Sequence, residues 1–310
     1  MLCVPHAIGI ARLSWPSCAQ HFDILARRHA KSALLPGGVL RSRALSLLLR
    51  YQSLGAHGYQ AALPPAGFDV LREKLGCCFE CFASPLNARY DQFCSCFGDS
   101  DVDNFFGSVG SFFDFAPTCG SFEANPPFVP EVMLAAVHHA EGLIEKAEPS
   151  GEALSFCFIV PTWEALAFHQ QLKASQWLRG ELLLLDATGH AFVDGAAHTK
   201  ELASDRMRPS SFGTTVGVIQ SSEGAAKWPM DPALRDELAR AFASALPTAD
   251  EAHHRTARGD GDAVALLLKR RERAAEAGGE HGAHAQSMER MMVEETSQPT
   301  KKKNKKWPAD

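Results

Sequence analysis

The chain has 310 residues, 45% of them hydrophobic and 22% charged, with a formal net charge of −5. That composition excludes a disordered chain, and no apolar run approaches the roughly 18 residues a membrane-crossing helix needs. Nine cysteines, an odd count spread over a long chain, argue against a disulfide framework and for a reducing compartment.

Residues 1–37 follow no period and read as an irregular N-terminal segment; Met1–Ile10 shows no basic stretch leading into an apolar one, so no secretion signal is expected. After Pro36, Gly37 and Gly38 a helix is predicted from Val39 to about Leu54, with Leu45, Leu48 and Leu49 as its apolar side. Phe68, Leu71 and Leu75 recur at helical spacing, and Gly76 supplies a stop. Cys77–Ala83 reads as a buried strand ending in a turn at Ser84 and Pro85. The stretch 99–120, rich in Gly, Ser, Asp and Phe, reads as a loop with a short strand at Ser111–Phe115. A strand ending near Ala124 leads through Asn125–Phe128 into a helix with Pro130 in its first turn and Met133, Val137 and Ile144 on one face. Ser155–Val160 and Leu182–Leu185 are continuous apolar runs, expected as strands covered on both faces, and Thr214–Ile219 is a further strand. Asp231 and Pro232 cap a last helix whose Leu234, Leu238 and Phe242 lie four apart.

Strands alternating with helices predict an α/β domain over residues 38–246, with a mostly parallel sheet, flanking helices and a helical front part. Charge divides the chain in the same way. Residues 1–75 carry nine basic and three acidic side chains, residues 76–246 ten and 22, and residues 247–310 twelve and eleven. A basic front on an acidic body suits an anionic ligand such as phosphate. Residues 247–310 are polar, with only Ala263–Arg271 compatible with a helix, and read as a largely disordered tail with a basic run at Lys301–Lys306.

Asn125, Pro126, Pro127 and Phe128 carry the sharpest chemical signal. They follow a strand, and in open α/β sheets ligands bind beyond the strands' C-terminal ends. Two prolines fix φ and remove two N–H donors, leaving a stiff turn of carbonyl acceptors. An Asn oxygen and a neighbouring carbonyl can accept both hydrogens of an exocyclic amine, holding its lone pair out of the ring and towards an electrophile. The Phe ring offers a planar base a stacking face. The arrangement suits attack on the methyl group of S-adenosylmethionine, with positioning supplying most of the effect.

The segments Phe79–Asn87 (FECFASPLN), Phe106–Ser108 (FGS) and Gly120–Phe128 (GSFEANPPF) resemble the phosphorylated CTD-interacting factor family. Leu47–Tyr51 (LLLRY), Cys94–Ser95, Phe156–Pro161 (FCFIVP) with Trp163, and Ala226–Trp228 (AKW) extend the resemblance over roughly residues 40–230. It implies a Rossmann-like S-adenosylmethionine-dependent methyltransferase that modifies N6 of 2′-O-methyladenosine next to the 7-methylguanosine cap of mRNA, in the nucleus. Capped RNA is the implied partner, and the phosphorylated C-terminal domain of RNA polymerase II a second one through another subunit; no membrane partner is expected. On this resemblance Asn125 and the Pro126 carbonyl hold the target amine, Pro127 keeps the turn rigid and Phe128 stacks on the base. Phe82, Ser84, Pro85 and Asn87 lie against the methionine and ribose of the cofactor, with Glu80 or Asn87 as the ribose acceptor. Trp163, Thr188, Gly189 and His190 match a substrate-contacting stretch.

The sequence departs from the family in several places. No counterpart of its WW domain is read here, and its helical domain is reduced to residues 1–75. Pro130 and Glu164 stand where the family has an acidic and a basic residue. Methyl transfer to N6 of adenine in other RNA or DNA, or an RNA-binding scaffold with weak activity, are the alternative readings. Cys78, Cys81, Cys94 and Cys96 have metal-like spacing, but strand residues three apart face opposite ways, so buried thiols and no metal are expected. His138 and His139 diverge around a helix and read as packing or surface residues. Gly107–Gly110 reads as a turn and Lys301–Lys306 as an import signal. Phe105, Phe106, Phe112, Phe113 and Phe115 read as core, with one or two lining the base or the cofactor's adenosine.

Overall fold

The computed structural model describes residues 23–28, 37–53, 61–98, 102–194 and 207–248. The predicted tail from residue 249 onward, with Ala263–Arg271 and the basic run at 301–306, lies outside the described residues, as do residues 1–22. The described helices are α1 (residues 23–28), α2 (Gly37–Ser53), α3 (Pro65–Leu75), α4 (Pro130–Ala147), α5 (Ala167–Ala174), α6 (Ser222–Lys227) and α7 (Pro232–Ala243). The strands are β1 (Ala61–Ala62), β2 (Glu80–Ala83), β3 (Phe93–Ser95), β4 (Gly120–Ala124), β5 (Leu154–Pro161), β6 (Leu178–Leu185), β7 (Ala191–Asp194), β8 (Met207–Pro209) and β9 (Thr214–Gln220).

Helix ends fall where the punctuating residues put them. Helix α3 starts at Pro65 and stops at Gly76, whose φ of 66° is the left-handed conformation glycine adopts at little cost. Helix α4 starts at Pro130, and Met133, Val137, Ala140 and Ile144 form its buried stripe. Helix α7 is capped by Asp231, whose side chain accepts the Leu234 N–H at 2.8 Å.

Six strands form a mixed sheet in the order β3-β2-β4-β5-β9-β6. Strands β3, β2, β4 and β5 are mutually parallel, and β9 runs antiparallel to both β5 and β6. Residues 108–110 extend the sheet beyond β3 through a parallel bridge between Phe93 and Ser108 and the bond from Ser95 N–H to the Gly110 carbonyl. Alternation along β5 sends Phe156, Phe158 and Val160 into the core under α4 and α5, and Cys157 and Ile159 into the core under α3 and α7. Each buried Phe contributes about 2–3 kcal/mol by area. A third cluster joins Leu25 of α1 and Ala44, Leu47 and Tyr51 of α2 to Leu86, Val102 and Phe106. The separate antiparallel sheet β1-β7-β8 carries Ala61 and Phe192.

Four expectations change. The apolar side of α2 is Ala44, Leu47 and Tyr51, with the expected Leu48 packed against them, while Leu49 is exposed. The strand expected from Cys77 begins at Glu80, the preceding residues running into it as an irregular segment. Ser111–Phe115 holds a 3₁₀ turn, since the Ser111 side chain accepts the Phe113 N–H and offers the backbone a turn in place of a ladder. Leu182–Leu185 belongs to an edge strand with Leu184 53% exposed. Gly180, at φ 67°, sits where the β6–β9 register shifts, and with exposed Glu181 it blunts that open edge.

Candidate functional site

The chain leaves β2 for β3 on one side, and β4 pairs on the other side of β2. The direction of winding reverses between β2 and β4, so the segments leaving these two strands, starting at Ser84 and Asn125, flank the crevice where such sheets take ligands.

Asn125 is oriented by the small sheet. Its Nδ2 donates to the Ala61 carbonyl at 2.9 Å, which turns Oδ1 away as an acceptor without a partner among the described residues. The Pro127 carbonyl accepts the Val129 N–H at 2.7 Å, whereas the Pro126 carbonyl takes no hydrogen bond among the described residues. Two adjacent acceptors are therefore left over, on a turn that prolines hold stiff. Phe128 is half-buried, edge-on to Phe212 at 5.3 Å and to Trp163 at 6.5 Å between ring centres.

The β2 exit is tied to itself. Asn87 Oδ1 accepts Ser84 N–H at 2.7 Å and Ser84 Oγ–H at 2.8 Å. Its Nδ2 makes no bond among the described residues and stays available as a donor. Pro85 is buried in this turn and Phe82 packs on Phe112 at 5.0 Å. Phe113, 42% exposed, lies 6.1 Å from Phe82 just after the 108–110 strand-like segment, at the same edge of the sheet.

Glu80 is buried, and its Oε2 accepts the backbone N–H groups of Arg89 at 2.7 Å and Tyr90 at 3.1 Å. Burial pushes its carboxyl up to about 7, opposed by those two N–H groups and by Arg28. Glu123, its register partner on β4, is pushed well above the carboxylate range by burial and by Glu80. Its Oε1 is buried without a partner among the described residues, which suits the protonated form.

The remaining expected residues sit further along the same edge. Trp163 is 4% exposed and backs Phe128. Thr188, Gly189 and His190 form the turn after β6. His190 is fully buried: Nδ1–H donates to the Asp186 carbonyl at 2.8 Å, Nε2 accepts from Thr214 Oγ1 at 2.8 Å, and burial lowers its pKa. Both ring nitrogens are thus occupied inside the protein. Cys81 and Cys94 are buried and Cys78 and Cys96 exposed, and His139 bonds the Phe115 carbonyl at 3.0 Å. Ala61, Phe212 and Arg28 escape sequence reasoning. Ala61 acts through a carbonyl that any residue has, and Phe212 and Arg28 reach the site only by tertiary folding.

A sequence model of the family described as "Phosphorylated CTD interacting factor 1 WW domain" matches residues 28–195, more than half of the chain. The chain belongs to this family. The described part of that span is made of the helices and sheets above. The human protein named mRNA (2'-O-methyladenosine-N(6)-)-methyltransferase is 39% identical over 211 residues, covering 64% of this chain and 29% of its own length. The mouse protein of the same name is 38% identical over 211 residues, covering 64% and 28%. The chain thus spans less than a third of the curated relatives it matches.

Proposed function

We propose that the chain transfers a methyl group from S-adenosylmethionine to N6 of 2′-O-methyladenosine beside the 7-methylguanosine cap of mRNA. The observation that carries this reading is the pair of unpartnered acceptors, Asn125 Oδ1 and the Pro126 carbonyl, beside Phe128 at the switch point of the sheet. Each accepts one hydrogen of the exocyclic amine, leaving the lone pair directed out of the ring plane. Pro127 restricts the turn, and Phe128 stacks on the base, its ring fixed by T-shaped contacts with Phe212 and Trp163. S-adenosylmethionine, when bound, supplies the methyl group on a positively charged sulfur that departs as a neutral thioether. The β2 exit fits such a donor: Asn87 Nδ2 is an unspent hydrogen-bond donor, and the exposed ring of Phe113 offers an adenine a flat apolar wall.

A Rossmann-like methyltransferase is the finer reading of the α/β fold, supported by the parallel run of β3, β2, β4 and β5 and by the crevice between β2 and β4. Phosphate contacts would come from α2, which carries Arg41 and Arg43 and no acidic residue, while Arg50 is paired with buried Asp103 at 3.9 Å. A 5′-terminal nucleotide is already unpaired, so presenting its base costs little. The family's description supports a connection to the phosphorylated polymerase tail; contact through another subunit and a nuclear site of action are part of the proposal.

A methyl-transfer assay comparing capped and uncapped RNAs that start with A, 2′-O-methyl-A or G tests the reading. Turnover confined to capped 2′-O-methyl-A is expected. Equal turnover on uncapped oligonucleotides would make it an adenine methyltransferase of other substrates. Absence of S-adenosylhomocysteine binding in calorimetry would leave only a scaffold.

A further inference from the structure

The short segment Ala88–Tyr90, directly after the turn assigned to the methyl donor, is gripped from both polarities of its backbone. Glu80 Oε2 accepts the N–H groups of Arg89 and Tyr90 at 2.7 and 3.1 Å. Arg28, from α1, donates Nη1–H to the Tyr90 carbonyl at 2.9 Å and Nη2–H to the Ala88 carbonyl. The guanidinium lies over the Phe93 ring, 5.2 Å from its centre, and is attracted by Glu80 and Asp91. The Tyr90 hydroxyl donates to the Cys77 carbonyl at 2.9 Å, and its ring meets Phe68 of α3 edge-on. A carboxylate and a guanidinium bonding alternate backbone groups of the same three residues leave that segment one conformation. Each such charge-assisted bond is stronger than a neutral one. Glu123, the neighbour of Glu80 on β4, is pushed well above the carboxylate range by burial and by Glu80, so Glu80 is the acid of the pair that faces Arg28.

We infer that Glu80 and Arg28 are positioning residues which clamp Ala88–Tyr90 and thereby hold Ser84–Asn87 in the form that receives the methyl donor. The inference deepens the proposed function and rests on its placing of the donor at the β2 exit. It gives the N-terminal helix a role in donor binding, although α1 lies outside the sheet. Glu80 acts through the loop's backbone in this assignment, and because Asn87 Oδ1 is taken by Ser84, Asn87 meets the ribose as a donor through Nδ2 and not as the expected acceptor.

Arg28→Gln is the informative variant, because Arg28 comes from a peripheral helix and its two backbone bonds go to the loop rather than to a strand. Amide hydrogen exchange is measured on the free protein, with β5 amides as the control for global stability. Protection of the Arg89 and Tyr90 amides is expected to fall about tenfold in Arg28→Gln, with β5 unchanged. Calorimetry with S-adenosylhomocysteine should show about tenfold weaker binding. In turnover the KM for S-adenosylmethionine should rise with kcat unchanged, a split that a general loss of structure does not give. Arg28→Lys, with one donor centre in place of a fork, should recover only part of the affinity. Wild-type protection at Arg89 and Tyr90 in Arg28→Gln would overturn the clamp. Lost protection in a protein whose wild type binds no S-adenosylhomocysteine would uphold the clamp and reject the donor reading.

Discussion

Asn125 gains its chemical direction from a hydrogen bond that spends its amide N–H. The Ala61 carbonyl can only accept, so it fixes which end of the amide faces it and leaves Oδ1 outward. Asn125→Ala removes an acceptor needed as the amine becomes the nucleophile, and should lower kcat by at least about a hundredfold. Its cost in stability should be only about 1 kcal/mol, the worth of one lost hydrogen bond. Paired methyl-transfer and urea-unfolding measurements check both, and unchanged turnover would remove Asn125 from the reaction. The need for an Asn followed by two prolines was legible in the sequence, because amide and imide are side-chain properties. The partner was not, since a backbone carbonyl leaves no mark in the residue sequence.

At the scale of elements, α3, α4 and α7 begin where their prolines and Asp231 put them, and α3 ends at Gly76. Asp231→Ala should cost about 1 kcal/mol through the lost bond to Leu234 N–H. The corresponding fall in Tm is roughly 2–4 °C by differential scanning calorimetry, and an unchanged Tm would mean that the cap does not contribute. Strand β6 shows the opposite case. A run of four leucines reads as doubly covered, yet the strand sits at the sheet's edge with Leu184 outward. Local composition reports apolarity, whereas coverage depends on which strands arrive on either side. The Ser111 turn departs from the strand expected at Ser111–Phe115 for a local reason, its hydroxyl competing for a backbone N–H within a stretch of phenylalanines.

For the whole molecule, the buried Glu80–Glu123 pair links folding to pH. Glu80 is pushed up to about 7 by burial, so the native state holds a proton that the unfolded chain releases near 4.5, and Glu123 shifts in the same sense. The stabilisation from Glu80 is therefore fully present below pH 4.5 and lost as the pH rises through 7. Equilibrium urea unfolding should show wild-type stability declining across that window. Glu80→Gln keeps an acceptor oxygen without the charge and should flatten the decline. An equal decline in the variant would place its origin elsewhere.

Residue order alone determined the α/β class, the stop of α3, the starts of α4 and α7, the strand that ends at Ala124 and the tetrapeptide that follows it, because these depend on periodicity and on side chains a few positions apart. Tertiary structure decided the orientation of the Asn125 amide by Ala61, the meeting of Arg28 with Glu80, and the exposure of β6. Those outcomes rest on contacts between distant segments and on backbone groups common to all residues, which only the packed chain brings together.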